Sequence, residues 1–105
     1  MLLLFSRRRR HRRIKMLEKV KLALRIKTEA FDNEIKDLIS AALADLKLAG
    51  IVKEDQTDAL ISRAIITYCR ANFGEPVDYD RLKKSYDEQK AQMKTASGYT
   101  EWGDG

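Results

Sequence analysis

The sequence contains few residues that break helices or cross-link chains. Its 105 residues include one proline, five glycines, one cysteine and one histidine. A single cysteine excludes an internal disulfide, and no other feature indicates an oxidising compartment, so we expect an intracellular protein. The chain is too short for two domains, and a domain of this size has a modest core. We therefore expect one globular domain that gains stability by association.

Long apolar runs are also missing. Residues 1–5 are apolar, but they precede a block of arginines, whereas a secretory signal has its charges before an apolar core of about 7–15 residues. No stretch approaches the roughly 18 apolar residues that cross a bilayer. The sequence predicts a soluble chain with no membrane segment.

Positive charge is concentrated at the start of the chain. Residues 1–15 contain seven of the 21 Lys and Arg residues and no acid, which leaves 14 basic against 16 acidic residues in the remainder. The whole chain is formally +5, yet its body is mildly acidic. The basic pI therefore reflects the charges of residues 1–15 and not those of the folded surface.

Three interpretations of residues 1–15 remain open: a disordered phosphate-binding arm, a fusion or vector remnant, or a translated leader upstream of a true start at Met16. The leader hypothesis rests on codons, because Arg12-Arg13 can be encoded by AGG-AGG, a ribosome-binding sequence just before Met16. N-terminal sequencing of protein made from its native operon tests it, since a start at Met1 excludes it. In the arm interpretation, phosphate is bound by Arg7, Arg8, Arg9, Arg10, Arg12 and Arg13.

From Met16 onward the 3.6-residue period dominates and predicts an all-α fold. We expect a small bundle of three main helices, preceded by a short helix, with flexible termini. The short helix is predicted near 17–23, with an extended link at 25–27. The main helices are predicted at 29–48 after a Thr28 cap, from Asp55 or Thr57 to Asn72 or Phe73, and at 79–95 after an Asp78 cap. The domain would span 16–96, followed by a flexible tail, 97–105.

The second main helix, which is the third helix along the chain, is apolar on two sides. Beside its main stripe, Ala59, Ile66 and Phe73 form a second line seven residues apart, on nearly the opposite side. Either this helix is the centre of a monomeric bundle, or the second line contacts a neighbouring subunit. The three residues are the candidate subunit interface.

The tail carries Tyr99 and the only tryptophan, Trp102. Aromatic anchors supply large contact areas, so these residues are a candidate docking peptide for a partner. The alternative is that both rings fold back onto their own helices.

No pattern typical of catalysis, metal binding or cofactor binding occurs, so we expect no enzyme, no metal site and no cofactor. Cys69 lies in the main stripe of the third helix, where a buried thiol acts as a small hydrophobe. Tyr68 and Tyr86 also fall on apolar stripes and are expected to pack in the core. Nucleic-acid binding by a small helical regulator remains an alternative that depends on the arginine arm.

The order and spacing of several short motifs resemble those of the tailed-bacteriophage head-tail connector (adaptor) family, over about Met16 to Thr100. The motifs are Leu24-Arg25-Ile26, Phe31-Asp32-Asn33-Glu34-Ile35, Leu38-Ile39, Ala41-Ala42, Ala64-Ile65-Ile66, Asn72-Phe73-Gly74, Leu82-Lys83-Lys84-Ser85-Tyr86 and Ser97-Gly98-Tyr99-Thr100.

This resemblance implies a structural virion protein, made in the cytoplasm of a host bacterium and placed at the head-tail junction. It would form a ring of about twelve copies beneath the portal and extend the DNA channel. Its partners would be copies of itself, the portal protein, and a head-closure or tail-completion protein. In this family carboxy-terminal segments can reach the portal, which fits docking by Tyr99 and Trp102. DNA would pass without specific binding, so we expect a neutral or negative lumen, because each Lys or Arg contact to phosphate adds attraction.

Overall fold

The computed structural model describes residues 15–100. Four helices occur there in the order α1 (Met16–Leu24), α2 (Asp32–Leu48), α3 (Ala59–Asn72) and α4 (Tyr79–Thr95), and this part of the chain contains no strand. The predicted all-α bundle of three main helices and a short first helix is confirmed. The predictions for the arginine segment and for Trp102 concern residues outside this range.

The N-terminal ends of the helices differ from the predicted caps where the side chain of a predicted cap bonds elsewhere. Helix α2 begins at Asp32 instead of residue 29, because the Thr28 hydroxyl accepts a hydrogen bond from the Ala30 N–H in a turn and does not cap the helix. The predicted caps Asp55 and Thr57 bond to each other, and the N-cap of α3 is Asp58. Asp78 precedes α4 as predicted, but its carboxylate pairs with Arg81 and not with backbone amides.

Left-handed residues end the first two helices. Arg25, expected in an extended link, has φ 63° and closes α1, with the Ile26 N–H donating to the Lys21 carbonyl at 2.9 Å. Gly50 has φ 96° and follows α2, as the sequence predicts. A glycine adopts this conformation without the steric cost that a side chain brings.

Helix α3 lies at the centre and packs against the other three helices. It contributes Ile61, Ala64, Ile65 and Cys69 to the core, all with no exposed surface. The core is completed by the buried side chains of Met16, Val20, Ile35, Ala42, Leu46, Ile51, Tyr86 and Met93. Within residues 15–100, none of the helices combines the length and apolar character needed to span a bilayer.

Candidate assembly surfaces

The predicted interface line lies on the least buried side of α3. Ala59 is exposed, and Ile66 and Phe73 are half-buried. Phe73 also contacts Phe31 edge-to-face, with ring centroids 5.5 Å apart. Its own chain therefore encloses most of α3, as expected of the centre of a monomeric bundle, and leaves a strip on one side.

Two arginines that the sequence analysis missed share this strip. Arg63 and Arg70 are exposed and alternate with the apolar residues at spacings of three and four, which places all five on one helix face. Among residues 15–100, no carboxylate lies within 4.0 Å of either guanidinium. We call Ala59, Arg63, Ile66, Arg70 and Phe73 the α3 strip. The positions of the arginines at i+4 and i+11 relative to Ala59 were the signal available in the sequence.

Residues 97–100 contact the start of α3 through the Asp58 cluster, which consists of Asp58, Tyr99 and Lys53. The Tyr99 hydroxyl donates to the two carboxylate oxygens of Asp58, at 3.0 and 2.8 Å. The Lys53 ammonium lies 3.1 Å from Asp58 Oδ1 and 4.7 Å from the centre of the Tyr99 ring. The Tyr99 carbonyl accepts from the Val52 N–H at 2.8 Å. Tyr99 thus folds back onto its own chain, which corresponds to the alternative weighed for it above.

Asp58 also caps α3. Its Oδ2 accepts from the N–H groups of Leu60 and Ile61, at 3.0 and 3.2 Å. Burial acts to raise the pKa of this carboxyl, but the bonds from Tyr99, Ile61 and Lys53 outweigh burial and hold the pKa below its ordinary value. The carboxylate is therefore ionised at neutral pH, and it joins the chain on both sides of α3 to the helix N-terminus.

A second polar cluster joins three helices. Asp45 on α2 accepts from the Tyr86 hydroxyl at 2.6 Å and from the Lys90 ammonium at 3.1 Å, both on α4. The Tyr86 ring meets that of Tyr68 on α3 edge-to-face at 5.3 Å. Burial acts to raise the pKa of Asp45, but these two donors lower it overall. Burial and the Asp45 carboxylate raise the pKa of Tyr86, so it remains a donor.

The cluster borders a polar cleft of about 210 Å³, also lined by Asn72, Tyr79 and Lys83. Lys83 pairs with Asp87 at 3.0 Å, so its charge is already balanced. The buried placement of Tyr86 and the half-buried one of Tyr68 agree with their predicted packing roles.

The described residues offer little for chemistry. Cys69 is fully buried, as predicted, and burial raises its thiol pKa to about 12, which leaves it unreactive at neutral pH. Within residues 15–100, His, Cys, Asp and Glu side chains form no group of three or more suited to a metal ion. The features that stand out are surfaces and not pockets.

The described residues thus form a small all-α domain that offers surfaces for association. Residues 16–100 match the family described as phage connector protein, which is most of the chain. The protein therefore belongs to the phage connector family, and its role is that of a structural component of a virion. No curated protein and no solved structure shows significant similarity to the chain.

Proposed function

We propose that this connector forms a closed ring beneath the portal, at the junction of head and tail, and extends the channel through which DNA passes. Membership of the connector family over residues 16–100 carries the proposal. The α3 strip supports it, because an outward face that alternates apolar and charged side chains suits a subunit contact.

In the ring, Ala59, Ile66 and Phe73 contribute to the contact between copies. About twelve copies would close it by rotational symmetry. The head-closure or tail-completion protein binds below the ring, and the lumen is neutral or negative so that DNA slides without specific binding. No step of this role needs catalysis or a cofactor.

The carboxy-terminal segment docks on the portal, with Trp102 as its contact residue. The Asp58 cluster supports this assignment, because it holds Tyr99, three residues before Trp102 in the sequence, at the start of α3. In this arrangement Tyr99 positions the segment, and Trp102 meets the partner.

Electron microscopy and mass photometry of the full chain, alone and mixed with the portal protein of the same phage, test the proposal. We expect closed rings, and we expect Trp102→Ala to reduce portal binding while leaving ring formation unchanged. A chain that stays monomeric with and without the portal contradicts the ring. Salt-sensitive DNA binding by a chain starting at Met16 would favour a nucleic-acid regulator instead.

A further inference from the structure

Helix α2 presents an outward face of its own. Glu34, Asp37, Ala41, Ala44 and Leu48 recur at spacings of three and four, so they lie on one side of the helix. Leu48 is 87% exposed. We call these five residues the α2 stripe.

The α2 stripe is acidic at one end. Glu34 and Asp37 are exposed, and within the described part of the chain no Lys or Arg nitrogen lies within 4.0 Å of their carboxylates. Ala41 and Ala44 follow with small side chains, which allow another helix to approach closely, since interaxial distance depends on the residues at the contact.

The α3 strip and the α2 stripe carry opposite net charges. The α3 strip has two arginines without carboxylate partners, and the α2 stripe has two carboxylates without basic partners, so their charges are +2 and −2. Each face runs over 14 residue steps, about 21 Å at 1.5 Å per residue. Each also has exposed or half-buried apolar side chains, with Ile66 on one face and Leu48 on the other.

We propose that the α3 strip of one copy packs against the α2 stripe of the next copy. This inference rests on the proposed ring. The charged side chains of both faces and Leu48 are exposed, so both faces are available to a neighbouring copy. Because the two faces differ, the contact is head-to-tail, and each copy offers one face to each neighbour. Such a contact closes into a ring when its rotation permits.

Charge reversal in two separate variants tests this pairing. Arg63→Glu with Arg70→Glu makes the α3 strip acidic, and Glu34→Lys with Asp37→Lys makes the α2 stripe basic. Each variant alone places like charges against each other, so we expect the concentration needed for assembly to rise by about tenfold or more. Lys84→Glu with Lys94→Glu, on exposed positions of α4, is the matched control and should assemble like the unmodified chain.

Mixing the two variants is the decisive experiment. In an equimolar mixture, an acidic α3 strip meets a basic α2 stripe, and the unmodified faces also match, so assembly should return with the two kinds of copy alternating. Mass photometry should then show rings with an even number of copies. Circular dichroism checks that each variant keeps its helices, and recovery on mixing itself excludes misfolding as the cause of lost assembly.

The other outcomes separate this inference from the proposed function. Rings that form equally well with either reversal overturn the α2–α3 pairing and leave the ring intact. No association by the unmodified chain, alone or with the portal, overturns both. If replacing the six arginines of residues 7–13 with serine abolishes assembly and mixing restores nothing, the acidic stripe binds that segment instead, which also overturns the pairing.

Discussion

The Tyr99 hydroxyl offers a narrow test of how the carboxy-terminal segment is held. Tyr99→Phe removes the two bonds to Asp58 and keeps the ring, its contact with Lys53 and the backbone bond from Val52. A hydrogen bond to a charged group contributes about 1.5–3 kcal/mol. The cluster is partly open to water and Asp58 keeps three other donors, so we take the lower end, about 1.5 kcal/mol.

The loss should be local to the segment, because residues 97–100 can detach while the core stays folded. Amide hydrogen exchange at Val52 measures this local loss of stability, because the Val52 N–H donates to the Tyr99 carbonyl and is released when the segment detaches. About 1.4 kcal/mol corresponds to a factor of ten, so the protection of this amide should fall by about tenfold.

The matched control is Tyr79→Phe, at an exposed tyrosine whose hydroxyl has no hydrogen-bond partner among the described residues. It should leave the protection of Val52 unchanged. In acid, Asp58 becomes protonated and the hydrogen bond that it accepts from the Tyr99 hydroxyl weakens. The loss of Val52 protection caused by Tyr99→Phe should therefore be smaller in acid than at neutral pH. Unchanged protection of Val52 in Tyr99→Phe at neutral pH refutes the assigned role of this hydroxyl.

Four further outcomes follow from the described contacts. Asp58→Ala removes the α3 cap and the tail contacts and should lower the free energy of unfolding in urea by about 2 kcal/mol; an unchanged value contradicts the cap. Ile65→Ala leaves a cavity in the core and should cost about 2–5 kcal/mol in the same assay; a loss below 1 kcal/mol, on the order of a surface change, argues against its burial. Cys69 should resist iodoacetamide in the folded protein, and rapid labelling at neutral pH would show that it is accessible. Because the pKa values of Asp45 and Asp58 are lowered by folding, their stabilisation is complete above about pH 4 and is lost as pH falls through the lowered values; stability that is constant from about pH 5 to 2 contradicts this.

The sequence predicted helices well where periodicity alone decides them. Helix α4 has the predicted bounds, since its stripe is regular and Pro76 precedes it. The start of α2 was predicted too early, because capping preference cannot distinguish a cap from a turn in which Thr28 bonds to Ala30. The same ambiguity placed the cap of α3 at Asp55 or Thr57, three or one residues before Asp58.

The sequence patterns did not predict contacts between distant parts of the chain. Tyr99 and Asp58 are 41 residues apart, and so are Tyr86 and Asp45. Periodicity reports which side of a helix is apolar, but it does not show which polar side chain a tyrosine hydroxyl will reach. For a related reason the sequence identified only the apolar residues of the α3 strip, because an apolar pattern does not mark the two arginines that lie between those residues.

The attachment of Tyr99 at the first turn of α3 sets a tether length. Trp102 follows three residues later, and a fully extended chain of three residues spans about 10 Å between Cα atoms. A partner that receives the indole while Tyr99 stays bound must therefore bring its surface close to Tyr99. The footprint of such a partner would then include the surroundings of Tyr99 as well as the indole.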